Sequence, residues 1–165
     1  MYFKGNSKIN RILQSSKKLH SNFELSAKAL NFLFNKRIIK VCETYLLENS
    51  GEHISTEAIE KNFERLLRMN TDRTGYECSV NECKLVDNFD FRLSAPQQFV
   101  LGQIVMENLM TKKDFPIPCV VYFTYDAGEL TMRFHKYREN EGLWVSEDLE
   151  AYEEPVGYYF IDSSL

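Results

Sequence analysis

Three histidines and four cysteines have the widest chemical repertoire in this 165-residue chain. His20, His53 and His135 lie far apart, with no spacing that unites them at one centre. On an extended segment His135 shares a face with Arg133 and Tyr137. A histidine beside an arginine suits phosphoryl chemistry, the imidazole moving a proton while the guanidinium holds phosphate. That chemistry needs a second acid/base group, and none is specified. A histidine on a polar sheet face is the plainer reading. Cys78 and Cys83 are too far apart for a zinc-binding CxxC pair, and no second pair follows. Cys42 and Cys119 sit within apolar runs, as small core residues do. There is no Walker loop, dinucleotide fingerprint, G-x-S-x-G elbow or H-E-x-x-H pair. The expectation is a chain that is not an enzyme and needs no metal or other cofactor.

Function must therefore be read from surfaces. The hydrophobic content of 44% and charged content of 27% are those of a globular domain. No apolar run reaches the roughly 18–20 residues of a membrane helix. The opening MYFKGNSKIN has no signal-peptide core, which points to the cytoplasm and reduced thiols. The net charge of −4 conceals an asymmetry. Residues 1–50 are basic, through Lys4, Lys8, Arg11, Lys17, Lys18, Lys28, Lys36, Arg37 and Lys40. The last third is acidic, through Glu139, Glu141, Glu147, Asp148, Glu150, Glu153, Glu154 and Asp162. Such a field either solvates the protein or steers a basic partner towards it.

The elements that position these groups follow from periodicity. Apolar spacing predicts an amphipathic helix over 7–20. Ser21 and Glu24 form a capping box for a second, broadly apolar helix. That helix runs from Phe23 through Leu30, Phe34, Ile38 and Val41 to Leu46 and ends at Asn49-Ser50-Gly51. Ser55 caps a third helix over 56–69, with Ile59, Phe63, Leu66 and Leu67 inward. Residues 70–94 read as irregular, with short extended pieces at 76–80, 84–86 and 89–93. The box Ser94-Ala95-Pro96-Gln97 opens a fourth helix to about residue 111, weakened by Gly102. Strands then follow at 119–125, 129–137, 143–146 and 156–161. Leu130, Met132 and Phe134 take one face of the second. The expected fold is one α+β domain: an N-terminal layer of about four helices, then a C-terminal antiparallel meander of three or four strands across 117–161.

The other sheet face gathers Tyr122, Thr124, Arg133, His135, Tyr137 and Trp144, edged by Glu147, Asp148, Glu150, Glu153 and Glu154. Tyr, Trp and Arg are typical of binding hot spots. Either this face is open to a partner, or a helix covers it and Tyr122 and Trp144 are core. The basic N-terminal helices offer a different function, nucleic-acid regulation through Lys17, Lys18, Lys36 and Arg37. They also have an internal alternative, packing beside the acidic half.

The strand VVYFTYDAGELTMRFHKY, the segment ENEGLWVSEDLEAYEEP and the closing GYYFIDSSL give the chain an overall character. In it the chain resembles small acidic immunity proteins of bacterial contact-dependent growth inhibition systems. These families share no signature, so no residue role carries over. The resemblance implies a cytoplasmic protein partner, a cognate toxin with a basic nuclease domain, whose active cleft would be occluded.

Overall fold

The structure is a computed structural model that describes residues 1–19, 34–48, 53–85 and 93–162. Among these, strand β1 (Tyr2–Gly5) leads into helix α1 (Ser7–Ser16). A hairpin of β2 (Arg37–Val41) and β3 (Thr44–Glu48) follows, then helices α2 (Thr56–Asn70) and α3 (Arg73–Val80). After β4 (Cys83–Lys84) come helix α4 (Ala95–Met110) and strands β5 (Cys119–Asp126), β6 (Glu129–Lys136) and β7 (Val156–Ile161). The main sheet is antiparallel, five strands in the order β1-β7-β5-β6-β4.

The fold is α+β, but not a helical layer followed by a meander. Helices and strands are interleaved, and the main sheet has five strands, one from each end of the chain at β1 and β7. β7 lies on the far side of β5 from β6, with Tyr122 paired to both Arg133 and Tyr158. The strand expected at 143–146 does not form. Those residues cross over the sheet instead, and Trp144 N–H donates to the Tyr122 hydroxyl at 3.0 Å.

The largest correction is at 37–48, expected as the end of a long helix and observed as a hairpin. Ile38, Ile39, Val41, Thr44 and Tyr45 are strand-favouring residues. Cys42 and Glu43 have φ of 49° and 60°, the left-handed pair of a two-residue turn. Both faces are covered: Ile38 and Leu47 join the main core, while Val41 and Leu46 pack with Tyr76. A strand pair apolar on both faces has the composition of a buried helix, which is why its period misleads. Phe34, expected in the core, is 43% exposed. The expected capping box at Ser21 and Glu24, the helix residues before Phe34 and the Asn49-Ser50-Gly51 stop lie outside the described residues.

α3 also replaces an expected irregular segment. Asp72 caps it by accepting the Gly75 N–H at 2.7 Å. Its buried face is polar, and Glu77 and Asn81 span one turn as a strut between two sheets. Glu77 accepts N–H bonds from Tyr45 of β3 and Lys136 at the end of β6, both at 2.8 Å. Asn81 accepts from Leu47 N–H at 2.7 Å and donates to the carbonyls of Tyr45 and Phe134. These side chains satisfy strand edges that no neighbouring strand reaches among the described residues.

The expected starts at Ser55 and Ser94 are where α2 and α4 begin, the latter with both halves of the capping box. The inward stripe of α2 is only half buried, against Tyr76 and Val41. α1 and α4 cover one sheet face, and Leu130, Met132 and Phe134 lie in that core with Phe99, Leu101 and Phe123. Gly102 is where α4 meets the sheet: a Cβ there would lie 2.4 Å from Phe123 Cε1 and 3.2 Å from Leu85 Cδ1. Gly102→Ala is therefore expected to lose about 1–2 kcal/mol despite the better helix propensity of alanine, because overpacking outweighs it. Urea unfolding measures this, and an unchanged or raised midpoint would show that Phe123 yields without cost.

Candidate functional site

The face of the sheet opposite α4 carries Tyr122 on β5, His135 on β6, and Tyr158 and Phe160 on β7. It is partly covered, by Cys78 of α3 and by Val145 and Leu149 of the crossing segment. The open arrangement therefore fails at its centre, where Tyr122 is 1% and His135 0% exposed. Neither can touch a partner.

His135 is fully committed to the interior. Its Nδ1 is 2.7 Å from the Lys136 carbonyl, which assigns the proton to that nitrogen. Nε2 then accepts from the Tyr122 hydroxyl at 2.9 Å, and that oxygen in turn accepts the Trp144 N–H. Thr74 Oγ1 lies 3.4 Å from Nδ1 and donates to Glu141 at 2.9 Å. Desolvation lowers the imidazole pKa to about 4. A neutral ring with both nitrogens occupied holds the Trp144 segment in place and has no proton to exchange with a substrate. Arg133, expected beside it as a phosphate holder, instead pairs with Glu82 and lies over the Trp144 ring at 5.4 Å.

What stays accessible is the rim. Trp144 is 41% exposed. The span 139–154 carries seven carboxylates and no Lys or Arg. Glu141 is turned inward to Arg138, Arg73 and Thr74. Glu150 accepts the N–H and hydroxyl of Ser7, at the start of α1, at 2.7 and 3.1 Å. Glu139, Glu147, Asp148, Glu153 and Glu154 are exposed and make no ion pair among the described residues.

The N-terminal arm fixes this ridge from behind. Asn6 Nδ2 donates to the Glu154 carbonyl at 2.8 Å, and Lys4 and Lys8 donate to the carbonyls of Glu147 and Glu153. Those two lysines thus pack against the acidic half, as the internal alternative anticipated. Of the residues named for nucleic-acid binding, Lys36 is 2% exposed, while Arg37 pairs with Glu48 but keeps a side chain that is 72% exposed. Lys17 and Lys18 remain exposed.

Beside the ridge lies a cleft of about 410 Å³, lined by Tyr2, Tyr137, Tyr158 and Phe160, by Leu143 and Val145, and by Glu139 and Glu147 at its rim. Tyr2 stacks on Phe160 at 5.5 Å, and Tyr137 meets the same ring edge-on at 5.0 Å. Tyr158 is 3% exposed, and its hydroxyl has no hydrogen-bond partner among the described residues. Burial, then the nearby Tyr2 and Glu147, raise its pKa, so the phenol is neutral. Of these, the sequence places Tyr137 and Glu147 on the expected binding surface and Glu139 among the acidic residues of the last third. The alternation of β7 places Tyr158 and Phe160 together, but Tyr2 reaches them only because β1 pairs with β7.

A second recess of about 300 Å³ lies across Leu143, between Trp144 and the α2–α3 corner. Thr71 there has φ 76° and ψ −53°, a strained turn for a β-branched residue. Cys78, Cys83 and Cys119 are buried thiols, Cys42 is partly exposed, and all four are free. No group of three metal-ligating side chains occurs among the described residues. No helix among them is long and apolar enough to cross a membrane.

No curated protein and no solved structure matches this chain. A family model does match, over residues 4–164, which takes in nearly all of the sheet, the strut and the acidic ridge, and the chain belongs to the Uncharacterized protein PM0498 family.

Proposed function

We propose that this chain is a non-enzymatic binding protein of the immunity type, acting in the cytoplasm by occluding the active cleft of a cognate basic, nuclease-type toxin. The supporting observation is the acidic ridge: five exposed carboxylates without ion pairs among the described residues, on a backbone held by Asn6, Lys4 and Lys8, with Ser7 binding the Glu150 carboxylate. A nuclease cleft is positive because it receives phosphate, so a preorganised carboxylate surface competes for it. A tethered backbone leaves less chain to order on binding. The exposed edge of Trp144 and the aromatic cleft supply apolar area beside the charge.

The test is capture with the tagged chain, identification of a stoichiometric basic protein, and expression of that protein with and without this chain. Growth arrest by the captured protein alone, relieved on co-expression, is the expected result. Capture of no toxic protein would refute the reading. Neutralising Glu147, Asp148, Glu153 and Glu154 to their amides, while leaving Glu150 to hold α1, should slow association about tenfold or more at low salt. The salt dependence of the rate should flatten as well. Stopped-flow kinetics decide this, and an unchanged rate would remove the ridge from recognition.

A further inference from the structure

We propose that the cleft between Tyr2, Tyr137, Tyr158 and Phe160 receives an arginine side chain of the basic protein partner. The identity of the donor rests on the functional reading above. The guanidinium would lie against the aromatic walls and donate to Glu139, Glu147 and the Tyr158 hydroxyl.

Three independent features converge on a planar cation. The walls are aromatic side chains, whose ring quadrupole attracts positive charge and which guanidinium stacks upon more readily than ammonium does. The rim carries two carboxylates, and the neighbouring Lys4 makes no ion pair with them among the described residues. Lys4 is paired across the strands with Tyr158, but its ammonium is bound to the Glu147 backbone carbonyl at 3.2 Å, not to a carboxylate. The third feature is Tyr158 itself, whose ring is buried while its hydroxyl opens on the cleft with no hydrogen-bond partner among the described residues. A hydroxyl that opens on an aromatic recess is an acceptor free to take a ligand's N–H donor. A guanidinium has five N–H donors in one plane, enough to serve both carboxylates and the phenol oxygen together. A volume of about 410 Å³ is ample for an arginine head and its stem.

The test uses N-acetyl-arginine N-methylamide as the probe, titrated into the full chain and followed by amide resonances. The citrulline counterpart, of the same shape but neutral, is the control. The expected result is saturable shifts confined to residues 2–4, 137–147 and 157–161, with the citrulline compound at least about tenfold weaker. Tyr158→Phe, which keeps the ring and hence the packing, should weaken the arginine compound about three- to tenfold. Glu139→Gln with Glu147→Gln should weaken it about tenfold, at surface positions where folding is not at stake. No localised shift, an equal response to citrulline, or undiminished binding by the Gln double variant overturns the inference.

The two proposals fail separately. If the probe binds as expected but no basic toxin is captured, the cleft chemistry stands and the immunity reading falls. If a toxin binds the Tyr158→Phe and Gln variants as tightly as the parent chain, the immunity reading stands and the cleft is not its anchor.

Discussion

Replacing Glu77 with alanine is expected to destabilise the protein by about 3–5 kcal/mol, a large share of the roughly 5–15 kcal/mol that holds a domain together. Glu77 is 0% exposed. Both of its oxygens are in use: Oε1 accepts from Tyr45 N–H and Arg138, and Oε2 from Lys136 N–H and Arg138. Burial opposes its ionisation, and Arg138 with the two backbone amides works against that penalty. For Arg138 burial again opposes the charge, and the bond to Glu77 outweighs it and raises the pKa. Truncation would strand two backbone N–H groups and take the closest ion pair from a guanidinium whose side chain is only 12% exposed, leaving it Glu141 and the carbonyls of Glu43 and Lys136. The cost comes from those orphaned partners more than from the lost pair itself. It should also free the β2–β3 hairpin, since Glu77 and Asn81 are its hydrogen-bonded links to α3 and β6. Glu77→Gln, which keeps the shape and one acceptor, should lose less. Urea unfolding with amide hydrogen exchange tests both points. A loss under about 1 kcal/mol, or hairpin amides as protected as before, would show that the strut does not carry the junction.

The second large effect is a pH dependence centred on His135. Desolvation lowers its folded-state pKa from 6.5 to about 4. Between those values the unfolded chain binds a proton that the folded chain excludes, so stability falls as pH falls through the window. The shift corresponds to about 3 kcal/mol of stability, fully present above pH 6.5 and fully lost below pH 4. Carboxylates begin to titrate near the bottom of that window, so the measurement is a difference between parent and variant. His135→Asn should be less stable at pH 7, having lost the bond to Tyr122, but should show a flatter stability profile between pH 6.5 and pH 4. Parallel profiles for the two proteins would mean that the imidazole is not held neutral. Because Tyr122 bridges His135 to Trp144, acid should also loosen the 143–149 crossing before the sheet melts. Trp144 is the sole tryptophan, and its fluorescence reports that step directly.

Recognition by this fold follows from the same arrangement. The sheet face that looks like a hot spot in sequence is spent on holding its own cover, and binding character passes to what the cover presents. Val145 and Leu149 go down into the core, while Trp144, Glu147 and Asp148 stay up. The acidic ridge and the aromatic cleft are thus two sides of one crossing segment, positioned by a buried histidine and by the N-terminal arm.

How much of this was legible in sequence depends on the range of each signal. The starts of α2 and α4, the Asp126–Glu129 hairpin and the core face of β6 rest on residues within a few positions of each other, and local rules read them. The acidic character of the last third is a property of composition and survives folding unchanged. α3 escaped because much of its buried side is polar: Glu77 and Asn81 satisfy strand edges and Thr74 bonds Glu141, so an apolar stripe is the wrong thing to look for. The β2–β3 hairpin escaped because burial on both faces erases the period of two. Only the tertiary structure could place Tyr2 against Phe160, two residues joined by a strand pairing that spans almost the whole chain. It alone decided that His135 and Tyr122 lie under a cover, because that depends on where the 137–155 crossing runs. Composition and local pattern determine which groups this protein owns, but long-range pairing decides which of them meet and which meet water.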